Sequence, residues 1–159
     1  MPPHAESGTI PALSSPDPTM KLADCEGLHE ARAVWDFTTG DARRFLDRAK
    51  LMLHAARSFK KQGIQPDFVV LLHGAATKFG ARDFVGTKFA ADEAGNLAEI
   101  HAELRELTQL GGRIEVCEIA MERSDVSRDK LVSFVVIEEN VFVNSIALQN
   151  RGYAYIPVT

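Results

Sequence analysis

Apolar residues recur at two different spacings along this chain, and the two spacings alternate. Residues 67–72 form a continuous apolar run, which is typical of a strand buried on both faces of a parallel sheet. Residues 41–62 instead carry apolar side chains at every third or fourth position, which predicts an amphipathic helix that Gly63 ends. The chain therefore contains both strands and helices, and its remaining segments repeat this alternation.

The other elements follow from the same two patterns. Further strands are predicted at residues 31–37, at a short run that ends at Cys117, and at residues 131–137 and 153–158. Further helices are predicted from Leu97 to the Gly111-Gly112 pair, at residues 119–123, and from a cap at Asn140 to Gly152. This order predicts an α/β fold with a mostly parallel five-stranded sheet and helices on both faces.

Two connecting segments are harder to interpret. Thr38, with Asp41 three residues later, resembles a capping box, so the first helix is predicted to begin from Thr38. Residues 75–96 mix phenylalanines with glycines and show no period. Long loops over the carboxyl end of a strand are often functional, so this segment is predicted to form a lid or a subunit contact.

Residues 1–29 are predicted to form a flexible tail. They contain most of the prolines of the chain, together with Ser, Thr and Asp, and they show little apolar periodicity. The remaining residues, 30–159, are of the right size for one domain with its own core, and 45% of the chain is hydrophobic. We therefore expect a single domain at residues 30–159.

Charge and cysteine content exclude several classes of partner. The 18 Lys and Arg residues against 22 Asp and Glu give a net charge of -4, so neither nucleic acid nor an anionic membrane is an expected partner. The two cysteines, Cys25 and Cys117, are too few for a disulfide framework or a zinc cluster and favour a reducing cytosol. No segment of the first thirty residues is apolar enough for a signal peptide or a membrane span.

Cys117 and His73 are the candidate site residues. Each follows a predicted buried strand, and the carboxyl ends of parallel strands border the crevice where ligands bind in open α/β sheets. The helix after Cys117 would favour the thiolate through its partial positive charge, and His73 could donate a hydrogen bond or exchange a proton. The alternative is that Cys117 packs as a small apolar residue and that His73 is structural.

Other catalytic motifs are missing from the sequence. It contains neither a Gly-x-Gly-x-x-Gly run after the first strand nor a phosphate-binding Walker loop, so no nucleotide cofactor is expected. A nucleophile elbow, a Cys-x-x-Cys pair and a His-Glu-x-x-His zinc site are also missing. Cys117 and His73 supply only two candidate metal ligands, so no metal site is predicted.

Three segments together resemble the DsrE/DsrF-like proteins of intracellular sulfur metabolism. They are residues 70–74 (VLLHG), 114–121 (IEVCEIAM) and 148–156 (LQNRGYAYI), and the likeness spans residues 33–157. The resemblance implies a three-layer α/β/α sandwich that assembles as a homotrimer or hexamer. It also implies that Cys117 carries sulfur as a persulfide between proteins. Glu118 departs from the family pattern, which has an apolar residue there, and places a negative charge near the thiol.

Two functional hypotheses follow. The first is a small cytosolic sulfur-trafficking protein, similar to a sulfurtransferase, in which Cys117 exchanges sulfane sulfur with donor and acceptor proteins and His73 assists. The second is a non-catalytic oligomeric module of the same fold that binds a ligand or a protein, with Cys117 serving only as packing.

Overall fold

Five parallel strands form one sheet in the computed structural model, which describes residues 10–159. The strands are β1 (Glu30–Phe37), β2 (Gln65–Leu72), β3 (Arg113–Cys117), β4 (Val135–Glu138) and β5 (Ala154–Val158). Their order across the sheet is β4-β3-β2-β1-β5, and every pairing is parallel. The predicted α/β fold with a parallel five-stranded sheet is confirmed.

Four α-helices connect or flank these strands: α1 (Ala42–Lys61), α2 (Leu97–Gln109), α3 (Glu118–Arg123) and α4 (Val141–Asn150). Short 3₁₀ helices occur at Ala23–Cys25, Gly74–Gly80 and Arg128–Lys130. No helix within residues 10–159 combines the length and the apolar character that crossing a membrane would require.

Alternation along the strands divides the core between the two faces of the sheet. The larger cluster packs under α1 and α2, where Phe37, Leu72 and Val116 point from the strands toward helix residues such as Phe45 and Leu104. The smaller cluster lies on the opposite face, toward α4, and consists of Val34, Val69, Leu71, Cys117, Ala120, Val141 and Leu148. The sheet is therefore the middle layer between helices on both faces.

The start of α1 differs from the sequence prediction. Asp41 is the N-cap, and its side chain accepts a hydrogen bond from the backbone N–H of Arg44 at 2.8 Å. Thr38 does not cap the helix, because its backbone N–H donates to the carbonyl of Val158 at 2.9 Å and holds it beside β5. The predicted capping box at Thr38 was wrong for this reason.

The segment between β2 and α2 packs against the core rather than standing away from it. Phe79 and Phe84 are almost fully buried, at 1% and 5% exposure. Ala81 forms an isolated antiparallel bridge with Leu131, so the chain before β4 pairs with this segment first. For that reason β4 begins at Val135 and not at residue 131, as the apolar pattern predicts.

Residues 10–29 run along α1, from its amino end, where Ile10 and Pro11 lie near Asp41 and Arg44, to its carboxyl end. Lys61 Nζ donates to the carbonyl of Pro16 at 2.5 Å, and Gln62 Nε2 donates to the carbonyl of Met20 at 2.9 Å. The flexible tail at residues 1–29 stays a prediction, and residues 1–9 lie outside the described part of the chain.

Candidate functional site

Strand register places His73 and Cys117 side by side. Leu72 of β2 pairs with Val116 of β3, so the next residue on each strand reaches the same carboxyl edge of the sheet. Neighbouring strands lie about 4.8 Å apart, which makes the two residues direct neighbours. The structure therefore brings the two predicted site residues together at the edge where the sequence expects a crevice.

Both residues line a cavity of about 570 Å³ above this edge. Its large apolar lining residues are Phe89, Ile119 and Phe142. Small-molecule sites in proteins commonly occupy about 300–1,000 Å³, so the cavity is of a size that can hold an organic ligand. The predicted lid segment contributes to this cavity through Lys88 and Phe89.

Cys117 lies at the boundary between this cavity and the smaller core cluster. It is the N-cap residue of the six-residue helix α3, and its exposure is 6%. Val69, Leu71 and Val141 belong to the same buried cluster, so the side chain is packed on one side and borders the cavity on the other. The cavity is therefore the route by which a reagent would reach the thiol.

His73 is held by a carboxylate that the sequence analysis did not identify. Its Nε2 donates to Asp36 Oδ1 at 2.5 Å, and the hydroxyl of Tyr155 donates to the other oxygen of Asp36. With Asp36 ionised, Nε2 must carry the hydrogen, which leaves Nδ1 of a neutral ring as the proton acceptor. The ring of Phe142 packs edge-on against His73, with centroids 5.5 Å apart.

Electrostatics fix the protonation of this group. Burial alone would raise the pKa of Asp36, but the hydrogen bonds from His73 and Tyr155 outweigh it and hold the pKa below its usual value. The hydrogen bond to Asp36, followed by burial, raises the pKa of Tyr155 to about 12. Tyr155 is therefore a permanent donor at neutral pH, and Asp36 is a permanent acceptor.

The cavity carries positive side chains at its rim. Lys88 and Arg123 line it, and neither has an ion-pair partner within residues 10–159. None of the lining side chains in the described chain is a carboxylate. The cavity is therefore suited to an anion.

The acidic residues near Cys117 do not make the cavity negatively charged. Glu118 forms an ion pair with Arg128, so the charge that replaces the family's apolar residue is compensated. Glu138 is the register partner of Cys117 on β4, and Glu115 is buried on β3. Burial, and then the charge of Glu138, raises the pKa of Glu115. Neither Glu115 nor Glu138 lines the cavity.

Nothing in the described chain assembles a metal site around Cys117 and His73. Within residues 10–159 no group of three or more His, Cys, Asp or Glu side chains is placed to hold a metal ion. Cys25 lies elsewhere, in a 3₁₀ turn beside the end of α1, and is not part of this cavity. Cys117 is accordingly the thiol of the candidate site.

The chain is similar to a known protein family and to an uncharacterized relative. The model of the DsrE/DsrF-like family matches residues 37–158. An uncharacterized protein from Aquifex aeolicus (strain VF5) is 28% identical over 127 residues, which cover 79% of this chain and 55% of that protein. The chain thus spans little more than half the length of this relative.

Several solved structures share the fold, including two with at most 20% identity to this chain. One is the protein of unknown function MTH1491 from Methanobacterium thermoautotrophicum, with a TM-score of 0.60 and 20% identity. The other is the ychN protein from E. coli, with a TM-score of 0.56 and 12% identity. Each match covers 80% of this chain and 98% of the other.

Proposed function

The chain belongs to the DsrE/DsrF-like family, and from that premise we propose that it carries sulfane sulfur as a persulfide on Cys117. The observation that supports this most directly is the meeting of Cys117 and His73 in one open cavity that has cations at its rim. Family membership supports a role related to sulfur relay, and the cavity supplies what a persulfide carrier needs: a thiol, a proton acceptor and positive charge for the terminal sulfur.

The chemistry is sulfur exchange at a single thiol. His73 takes the proton of Cys117, with Asp36 fixing the ring so that Nδ1 is the accepting nitrogen. The Cys117 thiolate attacks the outer sulfur of a donor persulfide, the sulfur–sulfur bond of the donor breaks, and the donor leaves as a thiolate. A partner thiolate then attacks the outer sulfur on Cys117 and regenerates the carrier. No oxidant or reductant is consumed.

The partners and the compartment belong to the same proposal. The proposed partners are proteins that donate sulfur and proteins that accept it. We place the exchange in a reducing, cytosolic compartment, because a carrier thiol must stay free between transfers. Neither cysteine of the chain is in a disulfide.

The test is the intact mass of the purified protein after incubation with a sulfane-sulfur donor. We expect a gain of one sulfur atom that reductant reverses, that Cys25→Ser retains and that Cys117→Ser loses. Cys25→Ser is the matched control, because it removes the second thiol outside the cavity. A gain that follows Cys25, or no gain at all, would contradict the proposal.

A second candidate function is favoured by the burial of Cys117 itself. Its 6% exposure and its place in the smaller core cluster also suit a non-catalytic module that binds a ligand or a protein, with the cysteine as packing. This alternative predicts that Cys117→Ala leaves ligand binding unchanged, whereas Cys117→Ser mildly destabilises the fold. A binding defect in Cys117→Ala at unchanged stability would exclude it.

A further inference from the structure

We infer that sulfur enters this cavity on a small organic persulfide that bears carboxylates, with Lys88 and Arg123 binding the carboxylates. This inference rests on the proposed function and names the substrate class of the loading step. Three features of the cavity support it: the access to Cys117, the charge at the rim, and the size and lining.

Access to the thiol favours a small donor. Cys117 lines the cavity but is only 6% exposed, and it belongs to the same buried cluster as Val141 and Ala120. Attack requires the two reacting sulfurs to come into contact along the sulfur–sulfur axis of the donor. A free small molecule can enter the cavity completely, whereas a cysteine of another protein reaches Cys117 only where the segment that carries it also fits into the cavity.

Charge at the rim favours an anion. Lys88 and Arg123 approach the cavity from different segments, Lys88 from the connection before α2 and Arg123 from the end of α3. The carbonyl of Ser124, next to Arg123, accepts the backbone N–H of Lys88 at 3.0 Å, which fixes the two segments to each other. Two cations without ion-pair partners in the described chain are thus held on one side of the cavity, where they suit carboxylates.

Size and lining favour an organic anion over an inorganic one. A cavity of about 570 Å³ far exceeds the volume of a small inorganic sulfur anion. Phe89, Ile119 and Phe142 line it as well, and such side chains bury carbon rather than oxygen atoms. The ligand that satisfies both features has an apolar or peptide-like body and acidic ends.

The loading step balances without any co-reactant. The Cys117 thiolate bonds to the outer sulfur of the organic persulfide, the bond between the two donor sulfurs breaks, and the organic thiolate takes the electron pair. That thiolate collects the proton that His73 removed from Cys117 and leaves as a free thiol. The products are Cys117 persulfide and the reduced organic thiol.

The test compares two donors that differ in charge. Glutathione persulfide carries two carboxylates, and its dimethyl ester carries none. We expect glutathione persulfide to load Cys117 about tenfold faster than the ester at low donor concentration. A tenfold difference corresponds to about 1.4 kcal/mol, and each of the two rim cations is expected to contribute about half of it. Lys88→Gln/Arg123→Gln should remove this preference, so that both donors load Cys117 of the variant at the same rate.

A matched control removes two cations elsewhere. Arg43 and Lys60 are exposed on α1, on the other face of the sheet, and neither forms an ion pair within residues 10–159. Arg43→Gln/Lys60→Gln changes the net charge equally and should keep the preference for the acidic donor. Loss of the preference in this control, or its survival in Lys88→Gln/Arg123→Gln, would overturn the inference.

A binding measurement separates this inference from the proposed function. Titration of Cys117→Ser with S-methylglutathione, which cannot transfer sulfur, should show binding that weakens about tenfold when Lys88→Gln/Arg123→Gln is added. Equal loading by both donors, with no binding of S-methylglutathione, would overturn the inference and leave the carrier function standing. Binding of S-methylglutathione without sulfur transfer from any donor would overturn the carrier function.

Discussion

At the scale of single residues, the least expected feature is the chain of hydrogen bonds from Tyr155 through Asp36 to His73. Asp36 stands on β1 among buried residues, and its two oxygens accept one hydrogen bond each. An ionised carboxylate in this position orients the imidazole and fixes its tautomer. In the proposed mechanism Asp36 is therefore a positioning residue that orients His73.

We predict that Asp36→Asn slows sulfur acceptance by Cys117 about tenfold, because His73 loses the partner that fixes its tautomer. Loading rates measured against pH should show the change as an altered pH profile and not only as a lower plateau. Tyr155→Phe is the matched control, since it removes the other hydrogen bond to Asp36 and leaves the bond to His73. Equal pH profiles in wild type and Asp36→Asn would contradict the prediction.

Asp36→Asn should also lower the stability of the fold, by an amount that depends on pH. The pKa of Asp36 is lower in the folded protein than usual, so its ionised form stabilises the fold above the unfolded value of about 3.9. Asp36→Asn should lose about 1 kcal/mol of unfolding free energy at pH 7, and the difference should shrink as the pH falls through the folded pKa. Urea unfolding of both proteins at pH 7 and at a pH below the folded pKa of Asp36 measures this difference in unfolding free energy.

The sequence identifies some of these residues and not others for a physical reason. Cys117 and His73 each follow a buried apolar strand, and the topology of parallel sheets sends both to one edge. Asp36 and Tyr155 meet only because β5 pairs beside β1, a strand order that alternation of elements does not determine. A carboxylate between Trp35 and Phe37, at the apolar end of β1, was the available signal for Asp36.

At the scale of elements, the segment between β2 and α2 depends on a buried lysine. The side chain of Lys78 is 7% exposed, pairs with Asp92 at 2.7 Å, and lies 5.2 Å from the ring centroids of both Phe79 and Phe89. The ring of Phe84 lies 5.7 Å away. One ammonium group thus ties together residues spread over the whole segment, including the cavity residue Phe89.

We predict that Lys78→Ala lowers the unfolding free energy by about 2 kcal/mol and speeds amide exchange in residues 84–92. The lost contacts with the rings account for most of this, because the side chain of Asp92 is 44% exposed and water screens the ion pair. Lys88→Ala is the control within the same segment, since Lys88 is exposed and has no ion-pair partner in the described chain. Stability unchanged in Lys78→Ala would show that Lys78 does not hold the segment.

This segment also shows where sequence patterns stop being informative. The periodic helices and the apolar strands were predictable, because burial of one face leaves a period in the sequence. The aromatic rings around Lys78 leave no period in the sequence, because they come from irregular backbone. They also surround a lysine, a residue that apolar patterns assign to the surface. The late start of β4 has a similar origin in the bridge between Ala81 and Leu131.

At the scale of the whole molecule, α4 leaves an apolar surface uncovered. Phe142, Val143 and Ile146 are 62%, 64% and 61% exposed, and Val136 on the edge strand β4 is 51% exposed. We call the first three residues the α4 surface. Contiguous apolar surface of this kind marks an interaction site. The resemblance to the DsrE/DsrF-like proteins implies a homotrimer or hexamer, and we propose the α4 surface as its contact.

Self-association through this surface would also bear on the chemistry. Phe142 belongs to the α4 surface, lines the cavity, and packs against His73 with ring centroids 5.5 Å apart. A second copy seated on α4 would therefore border the mouth of the cavity, narrowing the access to Cys117 further and favouring a small ligand over a bulky partner during loading.

We predict that Val143→Glu/Ile146→Glu converts the protein to monomers, because two carboxylates would be desolvated in an apolar contact. Neither residue lines the cavity, so the cavity keeps its lining residues. Sedimentation equilibrium gives the mass of the wild-type assembly, which distinguishes a trimer from a hexamer, and the mass of the variant.

Val85→Glu is the control, since Val85 is 72% exposed but lies in the segment before α2. A monomeric wild-type protein, or an assembly that survives Val143→Glu/Ile146→Glu, would show that the α4 surface is not the contact between copies. Loading of Cys117 measured on the monomeric variant then tells whether a second copy shapes the cavity: a preference for glutathione persulfide that persists in the monomer assigns the selectivity to Lys88 and Arg123 of the same chain.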